Sequence, residues 1–189
     1  MNEDKKNALR ALIQKRALSS GGDFTLASGK KSSLYLDSKQ VSLFGPGLLL
    51  VSEAFCEFKN KYWPTVDAIA GVSVGGDPLA SGMVLYEAAF NNKEFNALLI
   101  RKEKKAHGMS QGRAVDGVLA SETREVLLVE DVVSTGGSAL KGAHFLIDEG
   151  YPLVGVLALC DREMGGVELL AKKLSLPVKT LFKISELKL

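Results

Sequence analysis

A chain of 189 residues, 46% of them hydrophobic, is long enough for one well-cored domain and short for two. Its formal net charge of +2 is too small to argue for a nucleic-acid partner, and two cysteines are too few for a disulfide framework. No apolar run approaches the roughly 18 residues of a membrane span, and MNEDKKNALR has no apolar signal core, so the sequence predicts a soluble intracellular protein.

Ala8, Leu9, Leu12 and Ile13 form a helical stripe, predicting a first amphipathic helix from about Glu3 to Leu18 that Gly21 and Gly22 end. In DFTLASGKKSSLYLDSK, Phe24 and Leu26 alternate with polar residues, a Gly-Lys-Lys turn follows, and Leu34, Tyr35 and Leu36 resume an extended pattern. This is a hairpin-like flap, and on its own chemistry it is an edge hairpin facing solvent. Gly45-Pro46 then punctuates the chain. Leu48 to Phe58 supply an apolar helix, with Lys59, Asn60 and Lys61 at its carboxyl end, where cations suit the dipole. Val66 to Ala70 is a short strand, followed by GVSVGGD and a helix signed by Asp77 as N-cap and Pro78 at its first position. The loop with Gly71, Gly75 and Gly76 is either a place where backbone meets a pyrophosphate or a tight turn between strand and helix.

Asn96 to Ile100 is the next strand, after which the composition changes abruptly to RKEKKAHGMSQGR. From Arg101 to Glu125 helical period is missing, and only Ala114 to Ala120 could hold short strands. A connection this long in a compact domain is usually functional or disordered, although a basic run is most often a solvated face.

The next stretch, VLLVEDVVSTGGS from Val126 to Ser138, carries the most chemistry. Val126 to Val129 are apolar, as in a strand buried on both faces of a parallel sheet, so Glu130 and Asp131 emerge at its carboxyl end, where ligands of α/β sheets bind. Ser134, Thr135, Gly136, Gly137 and Ser138 offer unobstructed backbone N–H groups and three hydroxyls, suited to an anion-binding nest. Leu140, Ala143, His144 and Ile147 fall at helical spacing, which puts a helix start and its positive dipole end on the same loop. Two carboxylates repel a phosphate, but ribose hydroxyls and a magnesium ion suit them. No Gly-Lys-Ser/Thr triplet marks a Walker loop. Gly150 and Pro152 follow the helix. Val154 to Cys160 makes another buried strand that delivers Asp161, Arg162 and Glu163 to the same end of the sheet, where Arg162 either forms a surface ion pair or clamps a planar carboxylate. Val167 to Leu174 and Val178 to Ile184 read as a last helix and strand. The alternation of strands and helices predicts a parallel α/β sheet with right-handed crossovers.

The stretch from Val126 to Ser138 resembles the signature by which type I phosphoribosyltransferases bind 5-phosphoribosyl 1-pyrophosphate (PRPP). The segments from Asp23 to Asp37, Ile100 to Gly112 and Cys160 to Gly165 narrow the resemblance to orotate phosphoribosyltransferases, over nearly the whole chain. The resemblance implies one domain, residues 1–189, with a parallel sheet flanked by helices (46–189) and a small N-terminal hood (1–45). It implies that PRPP and orotate are converted to orotidine 5′-monophosphate and pyrophosphate with Mg²⁺ carried by substrate, and that Lys105, His107 and Asp131 are catalytic. PRPP would be held by Arg101, Lys102, Lys105, His107, Glu130, Asp131, Val132, Val133, Ser134, Thr135, Gly136, Gly137 and Ser138. Orotate would meet Ser134, Arg162 and the backbone of Tyr35 and Leu36. A twofold dimer with shared sites is also implied, the loop from Arg101 to Gly112 closing over the neighbour.

The energetic problem of that reaction is charge, because the leaving pyrophosphate gains negative charge while the ribose gains positive charge. Arg101, Lys105 and His107 would stabilise the first; Glu130 and Asp131 hold the ribose hydroxyls and face the second. The chain departs from many orotate enzymes in having Ala27 for a lysine, Val74-Gly75 for a tyrosine-lysine pair, Ala106 for an aspartate and Ser134 for a threonine. Affinity would then rest more on the basic loop or on Lys30 and Lys31. Two other readings are a transferase for a purine or uracil base, which the Arg162 clamp opposes, and a non-catalytic PRPP sensor, which Lys105 and His107 oppose.

Overall fold

The computed structural model describes residues 3–25, 31–103 and 112–188. Helix α1 (Glu3–Arg16) buries Leu9 and Ile13 and stops short of the two glycines. The chain then turns directly into β1 (Leu18–Thr25), which pairs antiparallel with β2 (Lys31–Leu36). Gly21 and Gly22 therefore do not end the helix. They lie where the register of the hairpin shifts between Ser20 and Phe24, and Gly21 takes the positive φ of +84° that such an irregularity requires. A short helix, α2 (Lys39–Ser42), which the sequence reading missed, links this hood to α3 (Gly45–Tyr62), whose first turn carries Pro46.

From there strands and helices alternate except between β4 and β6, where no α-helix intervenes among the described residues: β3 (Ala68–Val72), α4 (Gly76–Asn91), β4 (Asn96–Ile100), β5 (Val115–Asp116), β6 (Val126–Val133), α5 (Gly137–Asp148), β7 (Leu153–Asp161), α6 (Gly166–Leu174) and β8 (Val178–Lys183). The sheet order is β5-β4-β3-β6-β7-β8, parallel throughout except for β5, which runs antiparallel along the β4 edge. One face buries Ile69, Leu127, Val129, Leu157 and Leu159 with α1, α3 and α4. The other buries Ala68, Ala70, Val126, Leu128 and Val156 with α5 and α6. Successive side chains of one strand enter opposite cores, which is why these strands read as continuous apolar runs.

Two helical details differ from the sequence reading. The buried stripe of α5 is Ala139, Ala143 and Leu146, while His144 and Ile147 face solvent. Lys59 does not fray toward water at the end of α3. It is fully buried, with its ammonium 3.3 Å from the Glu87 carboxylate of α4 and 3.9 Å from the centre of the Phe95 ring. Cys56 and Cys160 are free and buried, as small hydrophobes, and desolvation pushes the Cys160 thiol up to about 12.

Candidate active site at the carboxyl end of the sheet

The order of the strands reverses beside β3, since the chain first adds β4 on one side and then β6, β7 and β8 on the other. The crevice between the carboxyl ends of β3 and β6 is thus the topological switch point, where α/β sheets bind their ligands. Strand β6 does not stop at Val129: Glu130 pairs with Ala158 and Val132 with Cys160. The two carboxyl groups there are close enough to interact, but they differ in burial and in partners. Glu130 is 6% exposed, and its Oε2 has no hydrogen-bond partner among the described residues. Burial, reinforced by the charge of Asp131, pushes its carboxyl well above the usual glutamate range.

Asp131 is only partly buried and is held at both oxygens. Its Oδ1 accepts the Val132 N–H at 2.8 Å, and its Oδ2 accepts the hydroxyl of Ser38, from the part of the hood between β2 and α2. The loop after β3 passes so close that a Cβ at Gly75 would lie 2.2 Å from the Asp131 carboxyl group, so no lysine fits at Gly75 while Asp131 keeps this position. Asp77 is not the N-cap of α4, which starts one residue earlier. It accepts the Ser73 hydroxyl at 2.8 and 2.9 Å, and burial raises its carboxyl above the ordinary aspartate value.

The small-residue loop after β6 is shaped from behind. Gly136 has φ +81°, and a side chain there would meet the Gly166 carbonyl at 2.9 Å; the Gly166 N–H in turn donates to the Ser134 carbonyl at 3.1 Å. Gly165 and Gly166 at the start of α6 therefore buttress the loop, a role that the sequence reading missed although the glycine pair is visible beside Arg162. With Gly136 buried, Thr135, Gly137 and Ser138 are left exposed around the first N–H groups of α5, the geometry of an anion cradle.

Arg162 follows β7 as expected. Its backbone N–H donates to the Val133 carbonyl at the end of β6 and its Nη2 to the Leu34 carbonyl of the hood, each at 2.8 Å, so the residue is anchored on the sheet while its guanidinium reaches the flap. Tyr35 is exposed and stacks on Phe24 with ring centres 5.4 Å apart. Leu36 is part of the core, which leaves only its backbone for a ligand. On the other side, Arg101 donates from Nε to Asp116 at 2.5 Å, and Lys102 lines a cavity of about 330 Å³ with Ser73, Ser138 and Lys141. The structure thus gathers Glu130, Asp131, Val132, Val133 and the loop from Ser134 to Ser138, with Arg162 and the flap across from them. Lys105 and His107 lie outside the described residues, as do Ala27, Lys30 and Ala106. Lys31 opens β2 and is exposed.

The phosphoribosyl transferase domain family matches residues 46–183. Orotate phosphoribosyltransferase of Aquifex aeolicus is 37% identical over 184 residues, covering 96% of this chain and 97% of the relative. The chain belongs to the orotate phosphoribosyltransferase family. The enzyme of that name from Thermosynechococcus vestitus is 38% identical over 97% of this chain and 93% of its own. Among solved structures, Mycobacterium tuberculosis orotate phosphoribosyltransferase in complex with Fe(III) dicitrate superposes with a TM-score of 0.81 at 27% identity, covering 98% of this chain and 99% of that one. Kinship with orotate phosphoribosyltransferases thus extends beyond the matched core to the N-terminal hood.

Proposed function

We infer that this protein transfers the phosphoribosyl group of PRPP to orotate, forming orotidine 5′-monophosphate and pyrophosphate in pyrimidine nucleotide synthesis. The observation that carries the reading is Arg162, placed at the end of β7 beneath the hood and beside the carboxylates and anion cradle of β6. A guanidinium is matched to a base that bears a carboxylate, and purines and uracil bear none.

In this reading the loop from Thr135 to Ser138 and the start of α5 hold the 5′-phosphate. Asp131 and Glu130 accept hydrogen bonds from the ribose 2′- and 3′-hydroxyls, and their charge lies under the ring as it becomes cation-like. Orotate is held between Arg162, the Ser134 hydroxyl and the backbone of Tyr35 and Leu36, and it attacks as the anion, so no general base is required. Arg101, Lys102, Lys105 and His107 stabilise the departing pyrophosphate. The described residues hold no cluster of three or more metal-binding side chains, but the partnerless oxygen of Glu130 and the Asp131 carboxylate suit hard cations and the hydroxyls around them. Mg²⁺ bound with PRPP would supply charge neutralisation of the pyrophosphate.

The protein works as a single domain, with residues 1–45 forming the hood side, and as a twofold dimer. The outer face of α4 supports the dimer: Ser81, Leu85, Ala88 and Ala89 are exposed along it, with Val74 exposed in the preceding loop and Phe90 in the last turn, and the acidic residues of the helix are half-buried Asp77 and buried Glu87. No helix among the described residues is long and apolar enough to cross a membrane, and the reading places the enzyme in the cytoplasm. The test is loss of orotate absorbance with PRPP and Mg²⁺, set beside uracil, adenine and hypoxanthine by product chromatography. Orotate alone should be consumed. Binding of PRPP with no turnover of any base would instead favour the sensor.

A further inference from the structure

We propose that Ser38 is a positioning residue for PRPP: it fixes the Asp131 carboxylate for the ribose hydroxyls and ties that carboxylate to the base-binding hood. The proposal rests on the phosphoribosyl transfer inferred above.

Ser38 is 2% exposed and directly precedes α2. A serine at this place ordinarily spends its hydroxyl on the first free N–H groups of the helix. Here it makes no capping bond, and the hydroxyl donates to Oδ2 of Asp131, 93 residues further along the chain. With the Val132 N–H on Oδ1, each carboxylate oxygen has one backbone or hydroxyl donor, which sets the rotamer, and a carboxylate oxygen can accept a second bond from a ligand. On its other side the carboxyl group is bounded by Gly75, where any Cβ would overlap it. Asp131 thus has a slot between a hydroxyl and a backbone, and the hydroxyl is the one part of the slot that comes from the hood. The same segment, two to four residues upstream, holds Tyr35 and Leu36 and the Leu34 carbonyl that engages Arg162. Hood, base clamp and ribose carboxylate are therefore joined by two hydrogen bonds, and displacement of the hood removes one donor from Asp131.

The test compares Ser38→Ala and Ser38→Thr with the parent enzyme, in both the wild-type and Asp131→Ala backgrounds, by calorimetric titration of PRPP with Mg²⁺ and by separate KM values for PRPP and orotate. Losing a hydrogen bond to a charged group should weaken PRPP about tenfold in Ser38→Ala, while Ser38→Thr, which keeps the hydroxyl, recovers most of the affinity. KM for orotate should change less than that for PRPP. In the Asp131→Ala background the same Ser38→Ala change should alter PRPP affinity by less than about twofold, since the partner is gone. Melting temperature reports separately on the fold, which a serine-to-alanine change barely alters in volume. Equal losses in both backgrounds, or unchanged PRPP affinity in Ser38→Ala, would overturn the proposal. The PRPP titration reads Ser38 even if wild-type turnover shows that the accepted base is not orotate.

Discussion

The cost of the site is concentrated in Glu130, a carboxyl group packed inside the sheet with one oxygen lacking a donor. Its folded pKa is raised by burial, so the group favours folding fully only below the pKa of an unfolded glutamate, near 4.3, and that contribution is lost as pH rises through the folded value. Glu130→Gln removes the titration. The variant should be more stable than the parent at neutral pH by about 1 kcal/mol, with the advantage fading as pH falls toward 4, while PRPP binding weakens. Thermal melts across pH check the sign, and an advantage that grows on acidification would refute it. At Arg162 the expectation concerns selectivity: Arg162→Ala should weaken orotate by about 2 to 4 kcal/mol and PRPP far less, because a bidentate charge-assisted pair is lost. Separate titrations of the two ligands decide it. The site carboxylates, the anion loop and Arg162 were legible because each comes at or just after the end of an apolar run, although Glu130 and Asp131 lie within β6 itself. Ser38 was not, since its meaning lies in a partner 93 positions away, and the buttress at Gly165 and Gly166 was hidden for the same reason.

Between elements, the informative contact is Lys59 with Glu87, which fastens the end of α3 to α4. Glu87 also accepts from Asn60 at 3.4 Å and from Asn91 at 2.8 Å, and Phe95 closes over the ammonium. Lys59→Met alone leaves a carboxylate in the core and should cost about 3 to 5 kcal/mol, whereas Lys59→Met with Glu87→Leu should regain most or all of it. Denaturant midpoints of the two variants measure the difference, and additive losses would contradict the pairing. Sequence pattern could not show this burial, because a lysine in the last turn of a helix is also what the helix dipole prefers at the surface. The hood failed in a comparable way. Gly21 and Gly22 stop helices as a rule, yet here the helix had already ended and the glycines serve a hairpin irregularity, a choice made by the pairing of Leu18 with Leu36 rather than by local propensity. Asn96–Ile100 was legible to the residue from its short apolar run, although only Leu98 and Ile100 of it are buried, whereas the fully buried β3 begins two residues later than the sequence predicts.

At the scale of the molecule, the sheet order was not legible, but its consequence was: among the described residues, the polar positions that follow β3, β4, β6 and β7 all lie at the carboxyl end of the sheet, on either side of the β3–β6 crevice. The dimer inference can be tested by mixing two inactive variants, Lys105→Ala in the loop outside the described residues and Asp131→Asn in the core. If the loop serves the neighbouring site, half of randomly exchanged dimers are mixed, each with one intact site of two, and activity should return to about one quarter of wild type. A mixture as inactive as its parents would show that the loop acts within its own chain. The most direct measurement of the central claim is phosphorus NMR of PRPP with the enzyme, Mg²⁺ and orotate, followed alongside orotate absorbance. The account predicts that pyrophosphate and a nucleoside 5′-monophosphate appear one for one as orotate disappears, with PRPP untouched in its absence. PRPP consumed at the same rate without orotate, or with adenine or uracil in its place, would contradict it.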